Sequence, residues 1–161
     1  PIIGIGARYS MGDFDFGIGY QTTSADFIDD WNPADTGGVD FDSIAASVGY
    51  SVNGLSVQLN MGRTNADANY DGDSGEATVD HIAIGASYSM DAWTFAANWG
   101  QYDLDYRDYA GNTGSMSMEG YGLAVNYDLG GGAVAQFGYG HSDVDYVGSS
   151  STWSLGLAMS F

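Results

Sequence analysis

Alternation with a period of two runs through nearly the whole chain, and it limits the fold more tightly than any other feature. In the last segment Trp153, Leu155, Leu157, Met159 and Phe161 share one side, and Thr152, Ser154, Gly156, Ala158 and Ser160 share the other. Successive side chains of a β-strand point to opposite faces, so this pattern marks a strand whose two faces meet different surroundings. The division recurs at Ile3, Ile5, Ala7, Tyr9 and Met11, at Phe14, Phe16, Ile18 and Tyr20, and at Ile44, Ala46, Val48, Tyr50 and Val52. It continues through segments beginning near Leu55, Ile82, Trp93, Tyr121 and Ala133, which predicts about nine strands of roughly nine to eleven residues each.

The second face decides what kind of sheet this is. In a soluble sandwich the face opposite the core is commonly charged. Here it carries Gly, Ser, Ala, Asn, Gln and Thr, with almost no charge at mid-strand. The apolar face ends in aromatics beside short turns: Tyr9, Phe14, Phe16, Tyr50, Tyr88, Trp93 and Tyr127. Aromatics in a β protein most often fill a core, but their restriction to strand ends favours a girdle at a membrane interface. No apolar run approaches the roughly 18 residues of a membrane helix, whereas closed barrels cross bilayers on just such alternating strands. The expectation is therefore an all-β, transmembrane antiparallel β-barrel occupying residues 1–161 as one domain.

The connections alternate in length. Short ones fall at Gly12-Asp13, Asn53-Gly54, Asp91-Ala92 and Gly130-Gly131-Gly132, several with hairpin chemistry. Long polar loops are expected at 22–42, 65–78 and 104–117, with a shorter one near 148–150. Short turns on one side and long loops on the other are the barrel pattern. Complete single-chain bacterial barrels have an even number of strands, so a count of nine suggests the C-terminal part of something longer. Pro1 follows no basic-apolar leader, and the chain reads as mature or truncated.

Composition excludes several functions. With three basic residues against 21 acidic ones the net charge is -18, which repels nucleic acid. Without cysteine there is no thiolate metal site, disulfide or thiol nucleophile. His81 and His141 stand alone in sequence, and no G-x-S-x-G elbow is present, so neither a transition-metal site nor a serine hydrolase is expected.

Candidate pore-lining residues are those polar side chains that alternation puts on the second face: Arg8, Asp15, Gln21, Gln58, Asn60, Asn98, Asn126 and Gln136. Arg8 and Asp15 could tune ion passage or form a solvated rim pair. Arg63 falls on the apolar face near the outer interface, where lipopolysaccharide contact, a bulge or snorkelling would each accommodate it. Asp71, Asp73 and Glu76 have a spacing that Ca²⁺ could use, but it departs from the EF-hand pattern and a solvated acidic rim is the favoured reading. All but Asp13, Asp15, Asp91 and Asp128 of the 21 acidic residues fall on the long-loop side, which predicts a negative outer mouth and a cation preference.

The terminal strand Ser151-Thr-Trp-Ser-Leu-Gly-Leu-Ala-Met-Ser-Phe161 and hairpins such as Tyr121-Gly-Leu-Ala-Val-Asn-Tyr-Asp-Leu-Gly-Gly-Gly-Ala-Val-Ala-Gln-Phe-Gly-Tyr139 resemble the porins of Gram-negative bacteria, most nearly the trimeric general-diffusion type of α-proteobacteria. Phe161 after alternating apolar residues is similar to that family's assembly signal. The resemblance covers the whole chain and implies the C-terminal part of a barrel of about sixteen strands in the outer membrane. It further implies a homotrimer, lipid and lipopolysaccharide as neighbours, small hydrophilic solutes as cargo, and no required cofactor. The family's constriction loop belongs to its N-terminal half. A small barrel acting as an anchor or adhesin through its acidic loops is the alternative expectation.

Overall fold

The computed structural model describes residues 2–28, 36–70 and 73–160. Within them the chain forms β1 (Ile2–Met11), β2 (Phe14–Ile28), β3 (Thr36–Val52), β4 (Leu55–Tyr70), β5 (Asp73–Met90), β6 (Trp93–Arg107), β7 (Thr113–Gly130), β8 (Ala133–Val144) and β9 (Gly148–Met159), and no helix. All nine strands lie in one sheet in sequence order, each antiparallel to the next. The antiparallel all-β reading holds strand for strand. Phe161 lies outside the described residues.

The short turns follow from local backbone chemistry. At Asn53-Gly54 both residues have positive φ, 47° and 82°, the two-residue hairpin geometry that matches strand twist. A Cβ on Gly54 would stand 2.5 Å from the carbonyl oxygen of Ser89, so that position takes glycine for two independent reasons.

The expected long loops are a correction. Most of residues 22–42, 65–78 and 104–117 continue the ladder, and strands run from 10 to 18 residues. At about 3.3 Å per residue an 18-residue strand is about 60 Å long, and tilted by roughly 40° it rises about 45 Å, far more than an apolar band of about 25 Å. The strands therefore cross the band and project beyond it.

Where they leave the band, the faces exchange character. On the side that carries Phe16, Val48, Leu59, Ile84, Val125 and Leu157, the residues further from the short turns become Asp42, Asp40, Arg63, Asp67, Asp80, Asp103, Asp105 and Glu119. The opposite side passes from Ser, Gly, Asn and Gln to Val39, Phe41, Val79, Leu104, Tyr106, Met116 and Met118. No strand breaks at the change. Tyr20, Trp99, Tyr121, Tyr139 and Trp153 mark its level, a second aromatic row opposite the turn-side one.

The sheet is a single layer. No hydrophobic side chain among the described residues is buried. The surface is 11097 Å² for a chain of 16.9 kDa, against roughly 7,700 Å² for a soluble protein of that mass. On the central strands Leu123 at 49% and Ile84 at 45% exposure have no second protein layer over them. Such a face is stable only against lipid, so the apolar side faces outward and the side lined by Ser, Gly, Asn and Gln faces inward.

Adjacent residues at mid-strand should therefore respond oppositely to charge. Ile84→Arg puts a guanidinium into lipid and should cost about 2–4 kcal/mol, whereas Ala83→Arg points inward and should cost much less. Urea titrations of the full-length protein folded into lipid vesicles check the pair.

Candidate functional site

The inner face is built in rows by strand register. Asp15, Gly49, Gln58, Gly85, Asn98 and Gly122 form one row, and Arg8, Gly17, Ser47, Asn60, Ala83 and Gly100 the next. Gln21 lies further from the short turns, and Asn126 faces Gln136 close to them. All eight candidate lining residues thus share this face. Four of the eight, Arg8, Asp15, Gln58 and Asn98, line one hollow of about 680 Å³ together with Ser47 and others, while Gln21, Asn60, Asn126 and Gln136 do not border it.

Its chemistry is polar and nearly uncharged. Ser43 and Thr64 bond at 2.8 Å, Ser51 and Ser56 at 3.0 Å, and Ser89 and Thr94 at 3.0 Å. Gln58 Nε2 donates to Asn60 Oδ1 at 3.4 Å. Asp15 accepts the Ser10 hydroxyl rather than an ion-pair hydrogen bond from Arg8. Such a wall offers water many hydrogen-bonding partners.

The remaining two arginines are on the outer face and both are paired. Arg63 grips Asp80 through Nε at 2.6 Å and Nη2 at 2.7 Å, a bidentate cross-strand pair. The ladders on both sides of Arg63 are in register, so no bulge accommodates it. Arg107 Nε reaches Glu76 at 3.0 Å and holds that carboxyl below its ordinary range. Beside them Asp103 accepts from Gln101 at 2.9 Å and from Ser117 Oγ at 2.6 Å.

Among the described residues the acidic side chains expected in loops are thus largely strand residues, and all of these but Asp73 point away from the hollow. Of the suggested Ca²⁺ ligands, Asp71 lies outside the described residues. Asp73 and Glu76 stand three apart on β5, on opposite faces, and Glu76 is engaged by Arg107. Among the described residues no group of three His, Asp or Glu side chains is placed to hold a metal ion. His81 faces inward beside Tyr102, while His141 faces outward and bonds Ser151 at 2.8 Å.

A one-layer antiparallel sheet, apolar outside and polar inside, defines the wall of an outer-membrane β-barrel. The pattern of the Gram-negative porin family matches residues 1–146, and the chain belongs to that family; its place is the outer membrane. A loop-deletion form of OmpT, an outer membrane protein of Vibrio cholerae, superposes with TM-score 0.72 at 13% identity, over 97% of this chain and 52% of that one. The siderophore receptor PirA of Pseudomonas aeruginosa gives 0.81 at 11% identity, over 99% and 30%. An anion-selective porin of Comamonas acidovorans gives 0.58 at 17% identity, over 87% and 43%. At these identities the likeness is one of fold. The chain spans 52% and 30% of the first two structures. Comparison with curated protein sequences finds no match.

One turn at the outer tip carries a titratable clamp. The Asp108 carboxylate accepts from the Ala110 amide at 3.0 Å, the Asn112 amide at 2.8 Å and the Asn112 side chain at 2.9 Å. The Asn112 side-chain bond, then the backbone amides, hold its pKa below the ordinary value. A lowered folded-state pKa means that the stabilisation is complete above the unfolded value and is lost as pH falls through the folded one. Acidification through that range should release the Ala110 and Asn112 amides, seen as shifts in their NMR resonances, and Asp108→Ala should abolish the transition.

Proposed function

We propose that this chain is part of the wall of a water-filled channel through which small hydrophilic solutes and ions diffuse across the outer membrane. The observation that carries the reading is the inner face, whose mid-strand residues are small, polar and nearly uncharged around an open hollow. Diffusion needs no chemical step, only an open polar path.

Closure supports a longer protein. β1 and β9 each have one unpaired edge, which lipid does not tolerate. Being both odd in an alternating sheet they run the same way and cannot pair antiparallel with each other. An odd number of further strands must lie between them in a closed antiparallel barrel. An anchor or adhesin barrel of few strands has less support, since its narrow interior would have to be filled by side chains and these are too small. A homotrimer is part of the proposal, supported by OmpT of Vibrio cholerae, one of whose solved structures is a trimer form. Lipid and lipopolysaccharide are proposed to cover the outer face, with the acidic belt at headgroup level.

A cation preference also belongs to the proposal, on altered grounds. Apart from Asp15, Asp73 and Asp128, the described strand carboxylates face outward but stand one strand thickness from the vestibule, within the roughly 10 Å over which charge is felt at 0.1 M salt. Arg8 is the one inward arginine. Reversal potentials of the full-length protein in a KCl gradient should show cation selectivity that weakens as salt rises. Arg8→Gln should increase it. Anion selectivity at low salt would sink the preference, and absence of any conductance would sink the channel.

A further inference from the structure

The exchange of faces leaves an apolar inner patch just beyond the pore-lining rows. His81, Tyr102 and Met118 are direct neighbours in one row, and Val79, Leu104 and Met116 lie in the next. The His81 and Tyr102 rings stack with centroids 5.6 Å apart and planes 27° apart. Gly62 makes room for this, because a Cβ there would stand 2.5 Å from His81 Cε1. Tyr102 remains 49% exposed and Met118 41%. None of these six positions carries a carboxylate, Lys or Arg, and the imidazole of His81 is their one basic group.

Lipid cannot reach the patch, because it is on the lumen side. The neighbouring outer connections, at 108–112 and 145–147, are too short to fold back over it. Ring faces and methionine thioethers suit a flat apolar ring. On the reverse of the same strands Arg63 offsets Asp80, and the negative charge that remains is that of Asp103 and Glu119, which flank Tyr102 and Met118 in sequence. A positive solute is drawn to such a wall and a negative one repelled.

We propose that this patch is a docking site for cationic solutes carrying a flat apolar ring, which dwell there before crossing the polar rows. The proposal rests on the channel reading and names the solute class that the vestibule retains. It is tested on the full-length protein in planar bilayers, by comparing 2-phenylethylammonium, ring-free ethylammonium and the anion phenylacetate at equal concentration. The expected result is concentration-dependent block of KCl current by 2-phenylethylammonium alone. Tyr102→Ser and Met118→Ser should each weaken the block about fivefold, the size of one aromatic or thioether contact. Tyr102→Phe should retain it, and KCl conductance should be unchanged throughout. Conduction without ring-dependent block, or block untouched by Tyr102→Ser and Met118→Ser, overturns the docking site and leaves the channel standing. The same holds if the patch is covered by another stretch of the intact polypeptide, which would show as absence of block. No conductance at all overturns both.

Discussion

Every part of this structure answers to the hydrogen-bonding demand of a backbone placed in oil. A peptide group in the hydrocarbon region has no water to bond, so each N–H and C=O there must find its partner within the sheet. That requirement produces the unbroken ladder from β1 to β9, in which the described strand pairs show one register shift, between Asp128 and Gly130 beside a short turn. It also makes a hydrophobic core unnecessary. With the backbone satisfied edge to edge, one layer suffices, and lipid supplies on one face the burial that a second protein layer supplies in a sandwich.

Side chains then divide by solvent. The inner wall stays open because Gly, Ser and Ala occupy it, and the larger polar residues among them, such as Gln58 and Asn98, hydrate rather than fill the space. On the outer face the cross-strand pairs Phe14–Tyr50 and Trp93–Tyr127, with ring centroids 4.7 and 4.5 Å apart, set the turn-side boundary of the band. The opposite boundary is set where Ile82 gives way to Asp80 on one strand and Trp99 to Gln101 and Asp103 on the next. Arg63 sits on that line, and its bidentate bond to Asp80 keeps both charges at the edge of the band rather than in it.

Strand number, order, turn positions and the side on which each mid-strand residue lies were legible in the sequence, because a period of two and a two-residue turn are local properties. The outer halves of the strands were not. Glu76-Ala77-Thr78-Val79-Asp80 alternates as cleanly as Ile82-Ala83-Ile84-Gly85-Ala86, but with its apolar residues on the other face. Read against a single apolar side, the reversal looks like an end to the strand and the Asp residues look like loop. A test for alternation irrespective of phase would have found it. The pairing of Arg63 with Asp80 and of Arg107 with Glu76 depends on register between strands, which no single segment carries. The porin resemblance pointed to the family correctly, and the outward aim of the carboxylates was the feature that neither resemblance nor composition contained.

The continuous ladder has a mechanical meaning. In a barrel whose extramembrane part is loop, the width of the mouth fluctuates as the loops move. Here the part beyond the apolar band is the same hydrogen-bonded sheet as the part within it, crossed by ion pairs and capped at 108–112 by a turn tied to Asp108. Bending that wall strains many backbone bonds at once, so the rim is a stiff collar whose bore is set by strand tilt. Over the described strands, then, the outer edge of the wall is held to one shape by the sheet itself.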